Sequence, residues 1–419
     1  MTTPLPQILL PVELGPGRVR YARGIRAGDW IFATGVLAQD FRNGVAAAVL
    51  QSDRPLVGAP RYEREAALLF DHLTQVLDAG GAGLDRLVRL DQYYTQVSAV
   101  ASYQRIRNRR LSGRMPASTS VLVPELLLPD AAIEFHAIAH AGTPVAGPGP
   151  WVTVGDFIFL TGQFAAAQGD EPARDGIASA ATVPPGSFWT GDPLRREAEF
   201  VIRQRIEPAL ARAGSSLRQV VKAQVYLTDA QDIPTFNQVW ADAFGADVPA
   251  TTIVTVPPGA IGLPAARLEI NIVALRDDAR TPKQVIEADV APAYPGHPAA
   301  IRAGDLLFLS GLMANDPEGL VPEARTDQRQ PHFSAPGDAQ AAAILTKADR
   351  ICAAAGTGLD RIVRIQQFHQ DLGDFHASHA AWRRRTGDRY PPFSALRVPG
   401  PPPITGCGLL MDLWVHAPA

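Results

Sequence analysis

Three carboxylates, Glu134, Glu269 and Asp412, stand in stretches that are otherwise apolar and read as strands at 131–139, 266–274 and 409–417. Burying an unpaired carboxylate is costly and raises its pKa, which suits a group that gives and takes protons near neutral pH. The plainer reading is an acid bonded to a backbone amide or hydroxyl as a structural fixture. Near the third acid in sequence lie His369, His376, His379 and His416. His376 and His379 share a helix face, but two imidazoles are a minimum and another element would have to bring a third ligand, so no metal is assigned. Cys352 and Cys407 read as buried thiols. Neither has a base beside it, and no Ser-His-Asp order follows from spacing.

The glycine clusters at 80–83 and 356–358 close helices instead of opening them, so carbonyls and not free amides point outward and phosphate binding is not indicated. The basic runs, Arg105, Arg107, Arg109 and Arg110, then Arg383 to Arg385, read as solvated helix faces. With a formal net charge of −3 there is no electrostatic case for nucleic acid.

The elements that must position these residues are written three times. Strand-like segments running from Gly28-Asp29 to Thr34-Gly35, from Gly155-Asp156 to Thr161-Gly162, and from Gly304-Asp305 to Ser310-Gly311 share one pattern at intervals the size of a whole domain. Each leads to a helix, in which residues such as Ala67, Phe70, Leu73 and Leu77 recur at three-to-four spacing, and each helix closes on glycine. A strand follows, then a second helix carrying Tyr103, Phe236 or Phe375, a strand introduced by proline, and the last strand with its acid. This order predicts an α+β fold with helices on one face of a mixed sheet. The units are bounded at 1–141, 148–276 and 290–419, joined by a Pro/Gly-rich linker at 141–150 and a polar one from Arg276 to Pro292. Irregular segments at 166–192 and 313–337 read either as functional covers or as partly disordered.

Hydrophobic residues make up 46% and charged residues 19% of the 419 positions, enough material for three cores. No apolar run reaches the roughly 18 residues of a membrane span, and the amino terminus lacks a basic region followed by an apolar one, so cytoplasmic residence without membrane contact is expected.

Each unit resembles a RidA/YjgF-type domain, the reactive-intermediate deaminase family. The matching residues are the Gly-Asp-x-x-Phe-x-[Ser/Thr]-Gly segment, the glycine turn before Leu87-Val88-Arg89 and Ile362-Val363-Arg364, the run Val225-Tyr226-Leu227-Thr228-Asp229, and the endings Ile133-Glu134-Phe135 and Leu268-Glu269-Ile270. The resemblance implies three tandem chorismate mutase-like domains. Because family members are trimers with ligand sites between subunits, it also implies an intramolecular pseudo-trimer, monomeric or of low oligomeric order. Fusion frees each cleft to differ.

In the family, a carboxylate-gripping Arg, a water-positioning Glu, a Tyr near the start and groups at the Ser/Thr-Gly segment form the site. The Arg belongs in a Pro-Ala-Arg step that here reads Pro116-Ala117-Ser118, Pro249-Ala250-Thr251 and Pro391-Pro392-Phe393, so it is missing three times. None of these side chains replaces a bidentate guanidinium, which argues against ordinary α-imino acids as substrates. Arg397, four residues beyond Phe393 on the same strand face, is the visible rescue. The resemblance places Glu134, Glu269 and Asp412 at the acid and Tyr21 at the Tyr, with Pro148 and His297 in the equivalent places. Thr34, Gly35, Thr161 and Ser310 fall at the Ser/Thr-Gly segment. Gln104, Asn237 and His379 fall where a neighbour contributes Asn. Tyr21, Thr34, Ser118, Ser120 and Glu134 are expected to line one wall, with Thr251 as the second unit's counterpart.

Two functions fit. One is cofactor-independent hydrolytic deamination, or a related tautomerisation or water addition, on a small imine- or enamine-type substrate. The other is a non-catalytic metabolite-binding module or scaffold.

Overall fold

Each unit opens on a hairpin and lays two helices on one face of a mixed sheet. The computed structural model describes residues 4–15, 19–51, 58–147, 149–184, 186, 191–325, 327, 329–330, 333, 335–387, 389–400 and 402–418; Pro148 lies outside them. The first unit contains β1 (Gln7–Leu14), β2 (Val19–Ala27), β3 (Trp30–Leu37), α1 (Arg61–Ala79), β4 (Leu87–Tyr94), α2 (Val97–Leu111), β5 (Ala117–Leu122), β6 (Glu125–Leu126) and β7 (Ile133–His140). In the second lie β8 (Val145–Ala146), β9 (Trp151–Val154), β10 (Phe157–Leu160), α3 (Pro193–Phe200) continued through a π-helical stretch into α4 (Glu207–Arg212), β11 (Val220–Leu227), α5 (Ile233–Phe244), β12 (Ala250–Thr255) and β13 (Leu268–Leu275). The third has β14 (Lys283–Ile286), β15 (Ala300–Ala303), β16 (Leu306–Leu309), α6 (Pro336–Ala354), β17 (Ile362–His369), α7 (Phe375–Thr386), β18 (Phe393–Arg397) and β19 (Leu409–His416).

The recurring Gly-Asp pairs are hairpin turns and not the first residues of strands. Gly28, Gly155 and Gly304 have φ of 57°, 54° and 57°, the left-handed value that a tight turn between right-twisted strands demands and a Cβ resists. The sheets run β1-β2-β3-β7-β4-β5, then β12-β11-β13-β10-β9-β8, then β14-β15-β16-β19-β17-β18, with only β4/β5, β11/β12 and β17/β18 parallel. One strand leaves its own unit: β6 of the first pairs with β18 of the third, Leu126 opposite Leu396 and Glu125 opposite Arg397. The segments at 166–192 and 313–337 carry short hairpins, Ala173–Arg174 with Ile177–Ala178 and Asn315–Asp316 with Gly319–Leu320.

The sheet faces turned away from the helices meet in one apolar core drawn from all three units, including Trp30 and Phe32, Phe157 and Phe159, and Phe308 and Trp414. Phe157 meets Trp30 edge-on at 5.4 Å, and Trp414 meets Phe32 at 6.2 Å. Burying each of these rings is worth about 1.5–3 kcal/mol, so the units are held by the same force that folds them. The ladder slips at the same place in β4, β11 and β17, at Val88, Val221 and Val363. A bulge re-aims side chains, and here both the valine and the cation after it (Arg89, Lys222 or Arg364) are buried.

Helix packing contains an acid not singled out by the sequence. Glu65 on α1 is buried and accepts the backbone N–H groups of Ala132 (2.7 Å) and Ile133 (2.9 Å), pinning the entry to β7. Glu197 does the same for Arg267 and Leu268. Glu65→Ala would orphan two buried amides, and a loss of about 2–4 kcal/mol in urea unfolding is expected, with an unchanged denaturant slope.

Candidate functional site

The units meet head to edge in a fixed order. The amide of Gly162 donates to the carbonyl of Ser118 at 2.9 Å, and that of Gly311 to Thr251 at 3.0 Å. At the third seam Gly35 lies so close that a Cβ there would be 2.8 Å from the carbonyl oxygen of Phe393. Thus β5 abuts the second unit, β12 the third, and β18 the first. This corrects the expected single wall: Ser118 and Ser120 belong to the seam with Gly162 and Glu269, not to that of Tyr21, Thr34 and Glu134. Ser120 is spent on a bond to Gln92 Oε1 at 2.7 Å.

At two seams the acid is hemmed in by the protein's own groups. At the first, the Glu269 carboxylate lies over Gly162, so near that a Cβ would be 1.8 Å from Oε1. Burial pushes its carboxyl up to about 8, with Arg89 pulling it down and Asp91 raising it. Arg89 bonds Asp91 (2.7 Å), Thr119 (3.1 Å) and the carbonyl of Leu160 across the seam (3.1 Å). Thr161, at the head of this wall, is half-buried, and its carbonyl accepts from Gln163 at 2.8 Å.

At the second seam Asp412 is ion-paired with Lys222 at 2.8 Å and Arg364 at 3.5 Å. Lys222 also donates to Thr252 (2.9 Å) and the carbonyl of Leu309 (2.7 Å). Asp412 is therefore a structural counter-ion and not a free acid. Ser310 donates to the carbonyl of Pro298 at 2.6 Å and accepts from the Thr251 amide, while Thr251 Oγ1 donates to the carbonyl of Pro249 at 2.8 Å. His297 is buried and held neutral, its pKa pushed down to about 4 by burial and then by Lys222. Asn237 on α5 is half-buried, with no partner for Oδ1 among the described residues.

The third seam is open. A cavity of ≈ 190 Å³ lies between the third and first units, its walls largely Leu14, Leu37, Leu128, Phe375 and Phe393, with Tyr21, Gln39, Glu134 and Ser394 as polar groups. Exposed His376 and half-buried Leu127 also line it. Phe393 stands where a clamp Arg would stand, and its ring packs on Tyr21 at 5.5 Å, Phe375 at 5.2 Å and His379 at 5.2 Å. His379 Nε2 accepts the Arg20 amide at 3.2 Å, and burial above all pushes its pKa down to about 4.

Arg397 does not enter this cavity. Its guanidinium bonds Glu125 of β6 at 2.7 Å and the carbonyl of Gln370 at 3.2 Å, so the rescue of a carboxylate clamp is not realised. The crossing strand β6 supplies it with a carboxylate of the protein's own.

Glu134 is fully buried, and burial pushes its carboxyl up to about 8, offset in part by the Ser394 hydroxyl. No Lys or Arg pairs with it among the described residues. The nearest basic group is His136 Nε2 at 3.5 Å. Burial first, then the Arg364 charge, holds that imidazole well below its usual pKa, hence neutral. His136 Nε2 also lies 2.7 Å from Ser394 Oγ. The Tyr21 hydroxyl accepts from Gln39 Nε2 at 2.8 Å, and burial raises its pKa, so it stays a donor. Thr34 Oγ1 is buried without a partner among the described residues and faces a ≈ 10 Å³ pocket beside Tyr21 and Gln39, room for about one water. His136 and Ser394 escaped the sequence reading. The signal was present: two residues after each acid stand His136, Asn271 and Trp414, so only the first copy has a base there.

Arg105 pairs with Glu63, Arg110 with Asp71, Arg384 with Asp338 and Arg385 with Asp349. Among the described residues no three His, Cys, Asp or Glu gather as a metal site, and no helix is long and apolar enough to cross a membrane.

The family described as Endoribonuclease L-PSP matches residues 15–141, 148–276 and 288–403. A RutC family protein of Pyrococcus abyssi is 32% identical over 116 residues, covering 28% of this chain and 78% of its own length. A second, from Pyrococcus horikoshii, is 28% identical over 120 residues, 28% of this chain and 79% of its own. Among solved structures, the YjgF/YER057c/UK114 family member Rv2704 of Mycobacterium tuberculosis is 25% identical, with 30% of this chain and 84% of that one covered and a TM-score of 0.22. A yeast protein, YEO7, is 26% identical, with 32% and 91% covered and a TM-score of 0.24.

Proposed function

From the premise that this chain belongs to the Endoribonuclease L-PSP (RidA/YjgF) family in three fused copies, we propose that it is a small-molecule enzyme hydrolysing an imine- or enamine-type group at the seam between its third and first units. The observation that carries this reading is Glu134: a buried acid without a cationic partner among the described residues, on the wall of a cavity large enough for a small molecule. Near pH 7 such a carboxyl is mostly protonated, its pKa being about 8. It can protonate the imine nitrogen, and the carboxylate so formed can take a proton from the attacking water; handing that proton to the carbinolamine nitrogen lets the C–N bond break with ammonia or the amine leaving, and the carboxylate recovers a proton from the hydroxyl as the carbonyl forms. Tyr21, held by Gln39, offers its O–H to the substrate or to that water. An iminium carbon is electrophilic without help, so the reaction needs no cofactor.

With Phe393 in place of a guanidinium and Arg397 spent on Glu125, no Lys or Arg among the described residues lines the cavity to grip a substrate carboxylate. The substrate is therefore a neutral imine or enamine with an apolar substituent. Enzymatically generated neutral imines should be turned over with a kcat/KM on the order of 10-fold or more above their α-carboxylate counterparts, equivalent to about 1.4 kcal/mol. Equal rates would remove this assignment of substrate class. Ligand-induced thermal stabilisation with no turnover of any member would favour the alternative, a metabolite-binding module.

A further inference from the structure

The pair His136 and Ser394 is used by none of the steps above, and it has the parts of an activated nucleophile. Ser394 belongs to the third unit and lines the cavity, while His136 belongs to the first, and only the seam brings them together, Nε2 to Oγ at 2.7 Å. We propose that Ser394 is a nucleophile with His136 as its general base, and that this gives the same cavity a second activity: hydrolysis of small, apolar carboxylic esters through an acyl-Ser394 intermediate.

Three observations support this. The pairing is peculiar to one seam: the corresponding partners are Asn271 with Thr119, at 3.3 Å, and Trp414 with Thr252, neither of which includes a base. The imidazole is neutral because it is buried, the state a base must be in before it accepts a proton. With Glu134 protonated and His136 in the Nδ1–H tautomer, the Ser394 hydroxyl hydrogen that an ionised Glu134 would take goes to Nε2, and the ring is held edge-on against Tyr93 at 5.8 Å. No carboxylate holds Nδ1 among the described residues, so this is a dyad and not a triad.

The chemistry balances without an added reactant beyond water. Ser394 Oγ attacks the ester carbonyl carbon as its proton passes to His136 Nε2, and the Tyr21 O–H is available to the carbonyl oxygen as charge builds on it. The bond to the leaving alkoxide breaks with its electron pair, and the alkoxide takes the proton from Nε2. Water then attacks the acyl-serine and gives its proton to Nε2. The Ser394 oxygen leaves and recovers that proton, for a sum of ester plus water to acid plus alcohol. The apolar walls, Leu14, Leu37, Leu128 and Phe375, suit a short aliphatic or single-ring acyl group and reject a charged one.

The test uses the full chain and p-nitrophenyl butyrate. A burst of p-nitrophenolate equal to the enzyme concentration is expected, with the butyryl group mapped by peptide mass spectrometry to Ser394. Ser394→Ala removes one oxygen and should abolish the burst. His136→Gln should slow it by about 10²–10⁴-fold. Mapping on the wild-type chain does not depend on either variant folding. No burst, an acyl group on another residue, or a burst surviving Ser394→Ala would overturn the proposal. Imine turnover is measured separately on the same protein, so either activity can fail alone.

Discussion

Lys222→Met is expected to destabilise the protein by about 3–5 kcal/mol, the largest effect of any single substitution considered, because it leaves a buried carboxylate without its principal partner. Lys222 and Asp412 are both inaccessible to solvent and 2.8 Å apart, and Arg364 at 3.5 Å is divided between Asp412 and Asp91, to which it donates at 2.9 Å. Burial lowers the Lys222 ammonium's pKa, and Asp412 raises it back. The side chain also closes the second seam through the carbonyl of Leu309. Met is close in length and lets the shape survive, so the cost reports charge and hydrogen bonding instead of a void. The measurement is urea unfolding of Lys222→Met beside Lys222→Met/Asp412→Leu. Removing both charges should recover much of the loss. Full loss in the double variant would mean that the bonds to Thr252 and Leu309, not the ion pair, are what Lys222 contributes.

Glu134→Gln is expected to lower kcat for imine hydrolysis by about 10²–10⁴-fold, whereas Glu269→Gln leaves it within about twofold. The two acids are equivalent by sequence and both have a carboxyl raised to about 8 by burial, but Glu269 lies against Gly162 while Glu134 faces a cavity. Gln keeps the shape and cannot donate an acidic proton. The wild-type rate should fall as pH rises through about 8, where the Glu134 proton is lost. The reverse slope, or a drop for Glu269→Gln as large as for Glu134→Gln, would place the reacting acid elsewhere.

The α+β order and the threefold repeat were legible because each rests on local chemistry: a positive-φ glycine in a hairpin, a glycine at each first helix's end, an apolar strand with one acid in it. That Glu134, Glu269 and Asp412 are buried was legible for the same reason. Their fates were not, since the deciding partners of two come from other units, Lys222 for Asp412 and Ser394 for Glu134, while Gly162 crowds Glu269 within its own unit, against β5 of the first. Grouping Ser118 and Ser120 with Tyr21 failed because which units abut is set by contacts remote in sequence, Gly162 on Ser118 and Gly35 on Phe393. Two-residue β6 left no periodicity to read, so Arg397 looked free. Glu65 was hidden among ordinary exposed helix acids, its role fixed by β7 folding back over it.

The crossing of β6 onto β18 bears on how a ligand gets in. Polypeptide links the first unit to the second and the second to the third, but no covalent connection spans the gap between last and first. There the rim is fastened by a clasp of two opposed residue pairs, Leu126 with Leu396 and Glu125 with Arg397, the second also ion-paired, next to Leu127 and His376 of the cavity. Parting that clasp breaks no chain connection, while Arg364 on Asp91, the Ala22 amide on the Pro391 carbonyl and Trp414 on Phe32 still hold the same two units together, so the rim beside the chamber can loosen without the junction coming apart.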